Sequence, residues 1–198
     1  MTSFQAKFLN LADEKSEYDG TQLKSLFAYL DHGILGDSIV AWIGPCNVSF
    51  EHMVDGEDLR DQSEIRGSRM VHVIVEKFGA SLSETVALQR LLSSIAKDVL
   101  LEKMGTQPRF SIRRSGDDLY VALSDGEGKL SISIATVSPV SGLIHFAVNV
   151  SNQGTPVKTA ALEDLRIPGE AFAEAVLRVF SLEMNSVSEA TCKVKWVR

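Results

Sequence analysis

Alternating apolar and polar positions predict β-strands in the middle of the chain. Residues 119–123 and 130–134 both alternate with period two, and the segment 125–128 between them contains two glycines. Period two on both sides of a glycine-containing turn is typical of a β-hairpin. We therefore predict a hairpin in which Lys129 begins the second strand, next to glycine backbone that a ligand can approach closely.

Two further strands place polar residues on one face only. In 70–78 the residues Met70, His72, Ile74 and Glu76 share one face, and three valines share the other. In 143–150, His145 and Asn149 lie opposite the face formed by Ile144, Phe146, Val148 and Val150. We expect the aliphatic faces to be core. His72 then either faces a polar cleft or is a hydrogen-bonded structural histidine.

Apolar residues at intervals of three and four predict helices on both sides of the strands and one between them. The clearest begins at 81–83 and ends at Gly105, and others cover 23–30 and 170–184. After a turn, 192–197 alternates again, which predicts a final strand with a buried Cys192. The element order predicts an α+β fold with a central mixed, mostly antiparallel sheet flanked by long helices.

Composition narrows the class of protein. The chain has 198 residues with a net charge of −6, which argues against general binding to nucleic acids or membrane surfaces. The two cysteines are far apart, so no disulfide framework is indicated. No repeat, linker, leader-like segment or long apolar run is visible. We expect a single cytoplasmic domain over residues 1–198.

Cations next to glycines suggest a site that binds an anion. Arg66 precedes Gly67 and Ser68, Arg114 precedes a turn that contains Asp117, and Lys129 follows Gly128. Arginine and lysine side chains bind phosphate or carboxylate oxygens. The alternative is that these residues are solvated turn positions.

An acidic segment provides a separate hypothesis. Residues 51–58 contain four carboxylates and His52, and Cys46 follows a Gly-Pro pair. This region could hold a divalent cation or use Cys46 as a nucleophile. The alternatives are a solvated acidic helix start and a packed thiol, and we predict no metal site from this pattern.

The order of these elements resembles the lipoate and biotin protein ligase family, which includes the octanoyltransferases. The resemblance rests on an arginine–glycine turn at 65–68, the segment 114–121, the lysine strand 128–135 and the strand 142–150. It departs from the family in three places. The nucleophilic cysteine of the octanoyltransferases would lie after the lysine hairpin, whereas Cys46 precedes it. Ser68-Arg69-Met70-Val71 stands where a glycine run is expected, and Ser133 replaces a glycine in the lysine strand.

The resemblance implies a function and a set of site residues. It implies that Lys129 contacts an acyl-adenylate or an activated acyl carbonyl, and that Arg66 and Gly67 line the ligand pocket. The full set of candidates comprises Lys129 and Cys46 as catalytic residues, and Arg66, Gly67, Ser68, His72, Arg114, Asp117 and His145 as ligand-binding residues. The cofactor stays unassigned, with ATP and an acyl thioester as the two candidates.

A second resemblance covers other parts of the chain. Tyr18-Asp19-Gly20, Gly44-Pro45-Cys46 and residues 51–55 are similar to an uncharacterised bacterial and archaeal family, domain of unknown function 366. This implies the ligase-like catalytic fold, over a core of about residues 36–184, without assigning an activity.

Two hypotheses follow. In the first, the protein is an acyl or nucleotidyl transferase that binds a small carboxylate, its adenylate or a thioester. In the second, it is a non-catalytic binding module or structural homodimer that keeps the fold without the chemistry.

Overall fold

The computed structural model describes residues 3–105, 110–153 and 158–197. The strands are β1 Gln5–Phe8, β2 Ser38–Val48, β3 Ile65–Phe78, β4 Ile112–Ser115, β5 Asp118–Leu123, β6 Gly126–Lys129, β7 Ser131–Val137 and β8 Ser141–Asn149. The helices are α1 Phe27–His32, α2 Gly56–Asp61, α3 Leu82–Met104 and α4 Gly169–Cys192.

Five strands form a mixed sheet in the order β1-β2-β3-β8-β7, in which only the β1–β2 pair is parallel. The strands β4, β5 and β6 form a small antiparallel sheet beside it. This confirms the predicted α+β fold with a mixed, mostly antiparallel sheet and long flanking helices. None of the helices in the described ranges is long and apolar enough to cross a membrane.

One face of the five-stranded sheet packs against α3 and α4. The aliphatic residues that alternation assigned to the core all lie here, and they include Val71, Val73, Val75, Ile144, Phe146 and Val148. The predicted limits of α3 are confirmed, since the Ser81 hydroxyl accepts a hydrogen bond from the Glu84 backbone N–H at 3.3 Å and Gly105 ends the helix.

The opposite face is covered by the N-terminal segment 9–34. The indole N–H of Trp42 donates to the Ser16 carbonyl at 2.8 Å. A Cβ at Gly44 would lie 1.8 Å from that same carbonyl oxygen, so only glycine lets the segment pass this close. The Leu26 backbone N–H donates to the buried Glu76 carboxylate at 3.0 Å, which holds the segment further along.

The hairpin prediction assigns the wrong partner to its second strand. Segment 130–134 does not pair with β5; β6 pairs with β5, and β7 pairs with β8 in the larger sheet. The chain changes sheets at Leu130, whose N–H donates to Leu119 at 2.8 Å and whose carbonyl accepts from Asn149 at 3.0 Å. Alternation identified both strands as extended but carried no information about their partners.

Two other local predictions are also wrong. The turn expected at 65–68 is the start of β3, because these residues pair with Cys46–Val48 beyond a bulge in β2. The strand expected at 192–197 does not form, since α4 continues to Cys192. Asn185, past the predicted helix end, accepts a hydrogen bond from the Phe4 N–H at 2.9 Å and ties the extension to the N-terminus. Cys192 is consequently exposed.

Candidate functional site

A cavity of about 520 Å³ lies on the sheet face that segment 9–34 covers. Its floor is formed by residues of the neighbouring strands β3, β8 and β7, and its walls come from segment 9–34, α2 and the turn before β5. The residues that line the cavity include Tyr18, Asp55, Glu57, Asp58, Asp61, Glu64, Arg66, Met70, Asp117, Asp118, Lys129, Ile132, Ile134, His145 and Asn149. Four of the predicted site residues therefore line one cavity: Arg66, Asp117, Lys129 and His145.

Lys129 is held in the cavity wall by an ion pair. Its Nζ lies 2.9 Å from Asp118 Oδ2, and about a third of its side chain is exposed. The Asn149 amide donates to the Lys129 carbonyl at 3.3 Å, which fixes the backbone. A Cβ at Gly128 would lie 2.7 Å from the Ala160 nitrogen, so the preceding glycine is required for this close approach. The result is a positioned cation next to open space.

Two buried histidines form a hydrogen-bonded pair beneath the cavity. His72 Nε2 lies 3.2 Å from the carbonyl oxygens of Gly44 and Pro45, and His72 Nδ1 lies 3.2 Å from His145 Nε2. Since a carbonyl only accepts, His72 Nε2 carries the proton and donates it. His72 Nδ1 then accepts from His145 Nε2–H, which leaves His145 Nδ1 as an unprotonated acceptor.

Burial keeps this pair neutral. It lowers the pKa of His72 from 6.5 to about 4, although the two backbone carbonyls oppose the shift. It also lowers the pKa of His145 well below its usual value, and the neighbouring His72 adds to that effect. The imidazole of His145 is therefore a hydrogen-bond acceptor at neutral pH and not a cation.

Three polar atoms are presented to the cavity without a protein partner. His145 Nδ1, Tyr18 Oη and Asn149 Oδ1 have no hydrogen-bond partner among the described residues, although the three residues are 3%, 3% and 5% exposed. No fully buried side-chain nitrogen or oxygen in that part of the chain lacks a partner. These atoms are thus accessible, and the cavity is the space that their residues line.

Tyr18 lies flat over the histidines. Its ring centroid is 3.6 Å from that of His145, with an angle of 11° between the rings. Burial raises the pKa of Tyr18 well above its ordinary value, so the phenol remains protonated and able to donate. Tyr18 and His145 together offer one donor and one acceptor at the same end of the cavity.

The cavity wall is acidic. Among the described residues it contains seven carboxylates and the two cations Arg66 and Lys129. Four of the carboxylates are paired: Asp61 with Arg60, Glu64 with Arg66, Asp117 with Arg90 and Asp118 with Lys129. Burial, followed by repulsion from Asp55, raises the pKa of Asp58, and the nearby Lys129 offsets this. Lys129 is therefore close to two carboxyl groups, those of Asp118 and Asp58.

Asp117 is held by α3. One oxygen of its carboxylate accepts from Arg90, and the other accepts from Gln89 Nε2 at 2.7 Å. Its backbone carbonyl accepts from Ser93 at 2.8 Å. These contacts position the turn that carries Asp118, and through it Lys129, so Asp117 acts through its neighbours.

Several predicted site residues do not line the cavity. Ser68 is exposed and donates to the Gln153 carbonyl at 2.6 Å, and Arg114 is exposed and donates to the Gly116 carbonyl. Gly67 is buried, and a Cβ there would lie 2.7 Å from Met70 Sδ, so this glycine makes room for a cavity-lining side chain. His72 is fully buried and reaches the cavity only through His145.

Cys46 and His52 do not come together as a reactive pair. Cys46 is 3% exposed, lies outside the cavity lining, and burial raises its thiol pKa to about 12. His52 instead contacts the Asp19 carbonyl at 3.3 Å. No group of three metal-binding side chains occurs within residues 3–105, 110–153 and 158–197.

Sequence reasoning missed Tyr18, Asn149 and Asp118 as site residues. A signal existed for Asn149, since it shares a strand face with His145 in the pattern of 143–150. No local pattern identifies Tyr18, because it reaches the site only where the N-terminal segment passes over Gly44 of the sheet. Asp118 was visible only as part of a polar turn.

Solved structures with this fold include proteins of known and unknown activity. A protein of unknown function from Pyrococcus horikoshi is 41% identical, with a TM-score of 0.84 and a match that covers 98% of each chain. A mutant biotin protein ligase from Aquifex aeolicus in complex with biotin has a TM-score of 0.58 at 14% identity, over 96% of this chain and 73% of that chain.

A bipartite lipoate protein ligase from Thermoplasma acidophilum gives a similar match. Its TM-score is 0.55 at 14% identity, over 93% of this chain and 85% of that chain. At such identities the two ligases establish the fold alone. The family described as domain of unknown function (DUF366) matches residues 8–195, which is nearly the whole chain. The chain therefore belongs to the DUF366 family.

Proposed function

We propose that this protein binds a small carboxylate, or its adenylate or thioester, and transfers the acyl or nucleotidyl group. Lys129 is the cation that faces the carbonyl or phosphoryl oxygens. The observation that carries this proposal is the position of Lys129 Nζ, which is held by Asp118 at 2.9 Å in the wall of a cavity of about 520 Å³. A fixed cation stabilises negative charge that develops on a carbonyl oxygen.

The fold of the ligases supports the choice of ligand. One solved neighbour was determined in complex with biotin, a small carboxylate. The cavity here is within the size range of small-molecule sites, and its apolar floor residues Met70, Ile132 and Ile134 suit an acyl chain. Arg66 is the second cation on the wall that could bind a carboxylate or a phosphate.

The acidic wall restricts how a nucleotide could bind. Seven carboxylates face two cations, so a free triphosphate meets net repulsion. We therefore infer that ATP enters only as a complex with a divalent cation, and that an acyl thioester or a simple carboxylate binds without one. Cys46 has no part in this proposal, since it is buried and its thiol pKa is raised to about 12.

A non-catalytic binding module is the second candidate, and two observations favour it. Lys129 is already neutralised by Asp118 and approached by Asp58, as expected if the cation stabilises the fold. The regular strand at 65–68 also replaces the glycine turn on which the ligase resemblance drew. In this case ligands would bind without being transformed.

The first prediction tests Lys129 directly. Replacing Lys129 by Ala should remove most of the thermal stabilisation produced by acyl-adenylates, coenzyme A thioesters and carboxylates, whereas Lys129→Arg should retain part of it. Differential scanning fluorimetry with each ligand measures this. The variant itself should lose no more than about 1 kcal/mol of unfolding free energy, because its ion pair is partly exposed.

Lys158→Ala is the matched control. Lys158 Nζ lies 3.0 Å from Asp125 in an exposed ion pair that is outside the cavity lining. This control should leave every ligand effect unchanged. Equal ligand stabilisation in wild type and Lys129→Ala would contradict the proposed function. Binding without turnover of any adenylate or thioester would favour the non-catalytic module.

A further inference from the structure

The cavity floor has a polar residue at each end, and strand β8 sets the distance between these two residues. His145 and Asn149 are four residues apart on one face of this strand, which separates their Cα atoms by about 13 Å. The Asn149 amide donates to the Lys129 carbonyl at 3.3 Å, so Asn149 lies beside the lysine backbone, and we take it to mark the lysine end. The far end is marked by His145 and by the Tyr18 ring stacked on it.

The floor between these ends is apolar. Ile134 pairs with His145, and Ile132 pairs with Ala147, so both isoleucines lie along the path from one end to the other. Met70 pairs with Asn149 on the other side of β8. A ligand with its carboxyl or acyl group at Lys129 would therefore lay a hydrocarbon chain over these residues.

The far end of the cavity is not suited to a hydrocarbon terminus. A methyl group there would leave His145 Nδ1 and Tyr18 Oη without partners in a space from which the ligand had displaced water. Leaving a buried polar group unsatisfied costs more free energy than its hydrogen bond contributes. The unpartnered donor and acceptor instead match a ligand group that can both accept from Tyr18 and donate to His145.

The required group is neutral. Burial lowers the pKa values of His72 and His145, so this end of the cavity disfavours positive charge. The lining carboxylates without an ion pair in the described part of the chain, Asp55, Glu57 and Asp58, belong to α2 and its N-cap. Asp58 is close enough to Lys129 for its pKa to respond. The acidic part of the wall is thus associated with the lysine end.

We propose that the ligand is a medium-chain carboxylic acid or acyl derivative whose far end carries a hydroxyl, which donates to His145 Nδ1 and accepts from Tyr18 Oη. This rests on the proposed function, since it assumes that the carboxyl or acyl group lies at Lys129. It distinguishes the ligand from a plain fatty acid.

Isothermal titration calorimetry with matched ligands tests this assignment. The probes are octanoate, ω-hydroxyoctanoate, ω-aminooctanoate and octanediol, with hexanoate and decanoate analogues to find the best chain length. We expect ω-hydroxyoctanoate to bind about three- to tenfold more tightly than octanoate, the range for one or two neutral hydrogen bonds. The ammonium of ω-aminooctanoate should bind more weakly than the hydroxyl.

Tyr18→Phe is the informative variant, because it removes an oxygen that has no partner among the described residues and keeps the ring over His145. It should reduce the preference for ω-hydroxyoctanoate over octanoate by about threefold or more. Tyr29→Phe, on the exposed face of α1, should leave the preference unchanged.

The results separate this inference from the proposed function. Octanoate binding as tightly as ω-hydroxyoctanoate, an unchanged preference in Tyr18→Phe, or tightest binding of ω-aminooctanoate would overturn the inference alone. Octanediol binding as tightly as ω-hydroxyoctanoate, with no effect of Lys129→Ala, would support the far-end site and overturn the assignment of Lys129. Binding of neither acid would overturn both.

Discussion

The face of the five-stranded sheet that packs against α3 and α4 is apolar, whereas the opposite face carries buried polar side chains. On the first face, residues such as Val73 and Phe146 are fully buried among apolar neighbours. On the second, His72 and Glu76 are equally buried but hydrogen-bonded. The comparison teaches that burial alone does not identify the core, since one buried face stabilises the fold and the other also forms a cavity.

The largest expected effect comes from the apolar face. Phe146→Ala should lower the free energy of unfolding by about 3–5 kcal/mol, because it removes a fully buried aromatic side chain and leaves a cavity. Urea denaturation measures this. Ile132→Ala, a half-buried residue in the cavity wall, should cost less stability but weaken ligand binding. An equal loss of stability in both variants would contradict the view that one face mainly stabilises the fold and the other forms a ligand cavity.

Lowering the pH should have a smaller effect on the free energy of unfolding, and this effect comes from His72 on the polar face. An unfolded histidine protonates near pH 6.5, whereas folded His72 does so only near pH 4. Between these values the unfolded chain binds more protons, so the free energy of unfolding falls as the pH is lowered. His72 alone should contribute a loss of about 3 kcal/mol across this interval.

The pH effect is measured by urea denaturation at a series of pH values. His72→Asn provides the comparison, because it removes the titrating group while the carboxylates continue to contribute their own pH dependence. Its stability should depend less steeply on pH than that of the wild type between pH 6.5 and pH 4. Parallel curves for the two proteins would show that His72 is already accessible to protons in the folded state.

The smallest expected change in stability comes from removing the Tyr18 hydroxyl. Tyr18→Phe should change the free energy of unfolding by less than about 0.5 kcal/mol, although Tyr18 is only 3% exposed. The reason is that Tyr18 Oη bonds to no described residue, so its removal leaves no protein group unsatisfied. Thermal denaturation checks this. A loss of 1 kcal/mol or more would mean that the hydroxyl serves the fold and not a ligand.

The sequence predicted the positions of strands better than it predicted which strands pair with each other. Alternation correctly assigned both faces of β3 and β8, because period two is a local property of an extended chain. The same signal in 119–123 and 130–134 identified two strands but placed them in one hairpin, since pairing depends on contacts that alternation does not encode. It also predicted a strand at 192–197, where α4 instead continues to Cys192.

The candidate site was predictable where its residues lie on strands. Lys129, His145 and Arg66 were identified and line the same cavity. Tyr18 was not, because its position depends on the crossing of Ser16 over Gly44, a contact between residues far apart in the chain. Asp118 was missed because its ion pair with Lys129 joins the neighbouring strands β5 and β6, whereas in sequence Asp118 looks like part of a solvated polar turn.

The spacing of the two cavity ends is a property of the backbone. Wall side chains can be exchanged to strengthen or weaken binding, but the four-residue interval between His145 and Asn149 belongs to one strand of the sheet. A polar pair on the same face can be moved only two residues at a time, a step of about 6.6 Å. The ligand length that this fold accepts can therefore change only in steps. A redesign would have to move one of the polar residues along the strand by two positions or a multiple of two.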